Sequence, residues 1–73
     1  MKTRIDYTTD LLNAQAKIRA ARAKLAAARE ATMRSRGTVN HAFLALQQGY
    51  AAYDLHVTIR HALMINLILQ RIA

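Results

Sequence analysis

The sequence contains no cysteine, no proline and no tryptophan, and it has only two glycines in 73 residues. Without cysteine there are no disulfide bonds and no thiolate metal ligands. Without proline, little interrupts a helix over most of the chain. A chain of this length forms one domain, residues 1–73, whose own core supplies only about 3–5 kcal/mol. Association with another chain is the stabilising device that remains.

Acidic residues are also scarce. Eleven Lys and Arg face four Asp and Glu, which gives a formal net charge of +7. Such a charge favours anionic partners, namely nucleic acid, an acidic protein face or anionic lipid. The most apolar stretch, residues 62–69, is far shorter than the roughly 20 residues that span a bilayer. No apolar segment typical of a signal peptide follows the start. We therefore expect a cytoplasmic protein and rank membrane binding last.

The residues that are abundant favour helix. Fifteen are alanine, and nine of these lie between positions 14 and 31, where Leu, Lys, Arg and Gln fill most other positions. The pattern predicts a helix over about 7–35, a turn over about 35–38 and a second helix over about 39–71. Asp6, Thr8 or Thr9 would cap the first helix, Gly37 would end it in the left-handed conformation, and Thr38 would cap the second. A turn this short predicts an antiparallel hairpin.

The first helix carries a heptad pattern in which large residues alternate with alanine. Its predicted seam comprises Leu11, Ala14, Ile18, Ala21, Leu25 and Ala28. Folding back about Gly37 pairs residues whose numbers sum to about 74, so that Leu25 faces Gly49 and large side chains meet small ones. On the second helix the predicted seam of the hairpin or oligomer comprises Phe43, Leu46, Gly49, Val57, Met64 and Leu67.

The second helix is apolar on more sides than one neighbouring helix covers. We therefore expect an all-α protein whose hairpin dimerises into a four-helix bundle. The alternation of large residues with alanine resembles the architecture of small plasmid-encoded hairpin dimers that bind RNA loops. The resemblance concerns architecture; no motif is shared and no functional residue is transferred.

Basic residues flank the seam of the first helix, and the second helix has one acid with which to pair them. These cations must therefore stay solvated or bind an anion from outside the chain. The candidate partner-binding residues are Lys17, Arg19, Arg22, Lys24, Arg29, Arg34, Arg36, Tyr50 and Tyr53. In the alternative interpretation, the cations keep an alanine-rich helix soluble and the tyrosines are packing residues.

No catalytic or metal-binding pattern is present in the sequence. His56 and His61 are five residues apart, about 140° around a helix, which is not the spacing of a helical zinc pair. Ser35 has no adjacent His–Asp arrangement. We expect no enzyme activity, no cofactor and no metal. The sequence predicts a small homodimeric interaction protein that binds, and regulates or inhibits, a larger protein with an acidic surface, by analogy with phage and plasmid accessory proteins. The alternative is a basic hairpin dimer that binds nucleic acid, RNA rather than DNA.

Overall fold

A computed structural model describes residues 2–72, which form two helices packed against each other and, over that range, no strand. Helix α1 spans Arg4–Arg34 and helix α2 spans His41–Ile72. The prediction of an all-helical hairpin is confirmed, and its dimerisation stays a prediction. The hairpin measures 53 × 17 × 14 Å, and its radius of gyration is 16.5 Å, against about 11 Å for a compact domain of this length. The chain is therefore a rod with little interior.

Helix α1 begins three residues earlier than predicted because Thr3 forms a capping box with Asp6. The Thr3 hydroxyl accepts the Asp6 main-chain N–H at 3.3 Å, and the Asp6 carboxylate accepts the Thr3 main-chain N–H at 3.0 Å. Asp6 is thus the third residue of the helix and not its cap. Bonds from the main chain and then from the hydroxyl of Thr3 hold the pKa of Asp6 below its ordinary value. Thr8 lies inside the helix, with its hydroxyl donating to the Arg4 carbonyl at 2.8 Å.

Helix α1 ends at a buried serine. The main-chain N–H of Ser35 lies 3.1 Å from the Ala31 carbonyl oxygen and 3.3 Å from that of Thr32, which closes the last turn. The Ser35 hydroxyl donates to the Thr32 carbonyl at 2.8 Å and lies 3.1 Å from Nδ1 of His41. Because its hydrogen is committed to the carbonyl, the serine oxygen accepts from the His41 ring. This contact joins the two ends of the turn.

The turn is longer than predicted. Gly37 has the left-handed conformation, with φ at 80°, but it lies two residues beyond the cap Ser35 instead of directly after it. The Thr38 hydroxyl donates back to the Ser35 carbonyl at 2.6 Å and does not cap the next helix. Helix α2 consequently begins at His41, two residues later than expected.

The longer turn shifts the register of the helices. Ala14 packs with Ala62 in the core, and the Thr32 hydroxyl lies 3.1 Å from the Leu44 carbonyl oxygen. Facing residues therefore have numbers that sum to about 76 and not to about 74. Leu25 faces the region of Ala51 instead of Gly49.

Alanine accounts for three of the five buried apolar residues between the helices. The buried apolar residues of the described chain are Ala14, Leu25, Ala51, Ala62 and Ile65. Leu11, Ile18 and Leu69 are half-buried and pack around three of these residues, Ala14, Ala62 and Ile65. Alanine at the contact lets the two backbones approach closely, but it buries little apolar surface. The fold is formed with most of its large apolar side chains still outside.

Candidate interaction surfaces

Seven large apolar residues form an exposed line along α2, which we call the apolar stripe. Their side chains are 46–66 % exposed, and they recur at intervals of three and four residues, with Arg60 occupying one step of the pattern. The members are Phe43, Leu46, Tyr50, Tyr53, Val57, Met64 and Leu67. Exposed apolar area of this extent on a small protein is typical of an interaction surface.

The structure corrects the seam expected on α2. The six residues assigned to it (Phe43, Leu46, Gly49, Val57, Met64 and Leu67) are all exposed and do not face α1. The residues that line the contact instead are Leu44, Gln48, Ala51, Leu55, Thr58, Ala62, Ile65 and Leu69. As the seam of the hairpin the expectation is wrong, because the register differs by two residues. As the seam of an oligomer it stays a prediction.

Gly49 has no packing role within the chain. A Cβ atom built at this position meets nothing within 4 Å, so close approach of α1 does not explain the glycine. Gly49 instead forms the floor of an open groove of about 560 Å³, which Ala45, Leu46, Tyr50 and Tyr53 also line. The two predicted partner-binding tyrosines therefore flank one apolar depression on the outward side of α2.

On α1 the six residues assigned to the seam face α2. The members that are buried are Ala14 and Leu25, and those that are half-buried are Leu11, Ile18, Ala21 and Ala28. Here the heptad pattern is unambiguous, since the remaining positions of α1 are mostly alanine or charged.

Three arginines lie along one edge of α1 and a fourth follows in the turn, and we call the four the arginine row: Arg19, Arg22, Arg29 and Arg36. Arg22 and Arg29 continue the line of Gln15 at seven-residue spacing, whereas Arg36 lies beyond the end of α1. Gln15 shares a groove with Ile59 and Asn66. The edge of α2 that carries Ile59 and Asn66 therefore lies beside the row. The ion pairs of the described residues are Lys2–Asp10 and Arg34–Glu30. Neither of them neutralises a member of the row.

The predicted lysines lie on the opposite edge, where acidic groups are present. Lys17 shares a groove with Asp10 and His61, and Lys24 shares another with Asp54. Arg34 points outward and pairs with Glu30 one helical turn earlier. The seven predicted cations therefore do not form one site: four form the arginine row, two have acidic neighbours, and one is paired.

A groove of about 590 Å³ lies between the start of α1 and the end of α2. The ammonium of Lys2 is 2.8 Å from the Asp10 carboxylate and 5.5 Å from the centre of the Tyr7 ring. The hydrogen bond and the charge of Asp10 raise the pKa of Lys2. Lys2 is exposed, Tyr7 and Asp10 are half-buried, and the three groups satisfy one another. We therefore interpret them as an ordinary ion pair at the start of α1.

Residues 2–72 contain no group of three or more His, Asp or Glu side chains placed to hold a metal ion. His41 is the first residue of α2 and contacts Ser35, and His56 is exposed. Within the same residues, neither helix has an apolar segment sufficient to cross a membrane.

Comparison of the chain with protein-family models, with curated protein sequences and with solved structures returned no match. The surfaces described above are therefore the basis for a functional assignment.

Sequence reasoning did not find the contact face of α2, although a signal for it exists. Its positions also follow a heptad spacing, from Leu44 through Ala51 and Leu55 to Ala62 and Ile65. Alanine, Gln48 and Thr58 interrupt the apolar character of that pattern, so the larger residues one or two positions earlier give the stronger apolar heptad signal. The bond between Ser35 and His41 joins residues six positions apart across the turn and depends on the path of the turn.

Proposed function

We propose that the protein is a non-enzymatic interaction protein that works as a homodimer and binds an acidic surface of a larger partner protein. The observation that carries the proposal is the arginine row. Its four guanidinium groups make no ion pair with any residue of 2–72 and lie beside a helix whose outward side is apolar. Arginine is enriched among the residues that contribute most to protein interfaces.

The spacing of the row suggests the form of its partner. Arg22 and Arg29 are seven residues apart, about 10.5 Å along the helix. Carboxylates at seven-residue intervals on a partner helix lying alongside α1 would match that spacing, and each would accept paired bonds from a guanidinium. An acidic helix is therefore the partner chemistry that fits best.

Nucleic acid is the second candidate, because an arginine row without carboxylates also suits phosphates. Tyr50 and Tyr53 lie on the outward side of α2 and not beside the row, so no aromatic platform accompanies the arginines for stacking single strands. A duplex recognised by its shape remains the form of nucleic acid that fits, and RNA is then favoured.

Fluorescence anisotropy with three labelled probes tests the proposal. The probes are a helical peptide with Glu at seven-residue intervals, a duplex RNA and a single-stranded RNA, each measured over a salt series. We expect saturable binding of the acidic peptide that persists near physiological salt, with weaker binding of both RNAs. Tighter binding of the duplex, falling steeply with salt, would favour the nucleic-acid function instead.

A matched pair of double variants separates the arginine row from general charge. Arg22→Ala/Arg29→Ala and Lys17→Ala/Lys24→Ala each remove two positive charges from α1. We expect the arginine pair to weaken peptide binding by about tenfold or more, and the lysine pair by no more than about threefold. Equal losses would show that only the net charge matters, and the assignment to the arginine row would then be wrong.

A further inference from the structure

The hairpin exposes more surface than a monomer of its size should. Its accessible surface is 5851 Å², whereas a compact monomer of 8.2 kDa has about 4,500 Å². The apolar stripe contributes to this exposed surface. Seven large side chains, 46–66 % exposed, offer roughly 100 Å² each. The total of about 700 Å² per chain is close to the roughly 800 Å² that each partner buries in a standard interface.

The stripe points away from α1. Each stripe residue precedes, by one or two positions, an α2 residue that contacts α1. Steps of 100° and 200° alternate, so the centre of the stripe lies about 150° around α2 from the centre of the contact with α1. A partner on the stripe therefore lies on the far side of α2 from α1. In such an assembly α2 is covered on both sides, and α1 stays at the outer edge.

The pattern of the stripe fits a second copy of the same chain running antiparallel. The stripe extends from Phe43 to Leu67, and its midpoint is Leu55. Antiparallel packing about that midpoint pairs residues whose numbers sum to about 110. Large apolar residues then meet large apolar residues in three of the four distinct layers. The pairs are Phe43 with Leu67, Leu46 with Met64, Tyr50 with Arg60, and Tyr53 with Val57.

Charge selects this orientation over the parallel one. Arg60 is the only charged residue within the spacing of the stripe. In a parallel pair it would face Arg60 of the second copy, and two like charges would be buried together. In the antiparallel pair it faces the ring of Tyr50 of the second copy, where a guanidinium is attracted to the aromatic face.

We infer that two copies pair antiparallel through the apolar stripes of α2, in a four-helix layer that brings both arginine rows to one face. The two-fold axis of an antiparallel helix pair is perpendicular to the plane of the helices. Rotation about this axis places the same side of both hairpins on the same face of the layer. The arginine rows of both copies share one face, and Lys17 and Lys24 of both copies share the other. Tyr50 and Tyr53 then serve the dimer. The inference extends the homodimer of the proposed function and leaves the face with the arginine rows for the acidic partner.

Two Val→Glu variants test the use of the stripe, with analytical ultracentrifugation over a range of concentrations as the measurement. Val57 lies in the stripe and is 46 % exposed, whereas Val39 lies in the turn and is 99 % exposed. We expect the wild type and Val39→Glu to be dimers at micromolar concentration, and Val57→Glu to dissociate about 100-fold more readily. A monomeric wild type, or two variants that dimerise equally, would overturn the inference.

Disulfide cross-linking tests the orientation without depending on the fold of Val57→Glu. The natural chain has no cysteine, so Leu46→Cys and Met64→Cys each introduce a single thiol. Antiparallel pairing brings residue 46 of one copy against residue 64 of the other, within the roughly 5.5 Å between Cα atoms that a disulfide spans. We expect a cross-linked dimer after the two variants are mixed and oxidised, and little from either variant alone. Efficient cross-linking of each variant with itself would show parallel pairing and refute the register.

The same samples separate this inference from the proposed function. If the mixed cross-linked dimer forms but does not bind the acidic peptide, the dimer is correct and the proposed partner is wrong. If the peptide binds to a chain that shows no mixed cross-link, the proposed partner survives and the antiparallel layer is wrong.

Discussion

Replacing Gly49 with alanine should stabilise the protein. Gly49 lies inside α2, where glycine costs about 1 kcal/mol relative to alanine because its backbone loses more freedom on folding. The added Cβ meets nothing within 4 Å, so no steric penalty offsets that gain. We therefore expect Gly49→Ala to raise the free energy of unfolding by about 1 kcal/mol, which is about 4–8 °C in Tm for a domain of this size.

Gly37→Ala is the matched control, because it adds the same methyl group with the opposite expected result. Its Cβ also meets nothing within 4 Å, but the backbone has φ at 80°. An L-residue in this left-handed conformation costs roughly 1–2 kcal/mol. The comparison therefore isolates backbone conformation from packing: Gly37→Ala should destabilise the hairpin while Gly49→Ala stabilises it.

Thermal and urea unfolding, followed by circular dichroism at several protein concentrations, would measure both effects. The concentration series is needed because the stability of an associating chain depends on concentration. A lower Tm for Gly49→Ala at every protein concentration would refute the reasoning. A loss that appears only at high concentration would instead mean that the methyl group collides with a second copy, because Gly49 shares its groove with Leu46, Tyr50 and Tyr53 of the apolar stripe.

Two further predictions concern the core and the helix start. Ala51 is only 4 % exposed, so Ala51→Leu should overpack the helix contact and lower the free energy of unfolding in urea by about 1–3 kcal/mol. Ala52→Leu, on the exposed side, should change that free energy by no more than about 0.5 kcal/mol. Similar losses in the two variants would place the contact elsewhere. The carboxyl of Asp6 should titrate below its ordinary pKa by carbon-13 NMR, and Thr3→Ala should restore only part of the difference, because the main-chain N–H of residue 3 remains. Since the pKa of Asp6 is lowered in the folded state, the capping box stabilises the fold above the unfolded-state pKa. It loses that contribution as the pH falls through the folded-state pKa. An ordinary pKa for Asp6 in the wild type would mean that the box is not formed.

The helix boundaries were predictable to within a few residues, and the deviations have identifiable causes. Thr3 precedes Asp6 by the spacing of a capping box, so an earlier helix start was encoded in the sequence. The bond between Ser35 and His41 depends on the path of the turn. Local propensity does not reveal that path, and α2 begins at His41, two residues later than predicted.

The heptad of α1 by itself determined which of its sides faces α2, because large residues and alanine occupy a single seam and charged residues or alanine occupy most of the rest. The all-helical hairpin and the excess of positive charge were likewise determined by composition. Tertiary structure alone decided which side of α2 packs inward. Two heptad patterns overlap on that helix, one through Leu55 and one through Val57, and both satisfy the same spacing rule. A difference of two residues in the turn rotates the facing position by about 200°, so the length of the turn selected the inner pattern and left the apolar stripe outside.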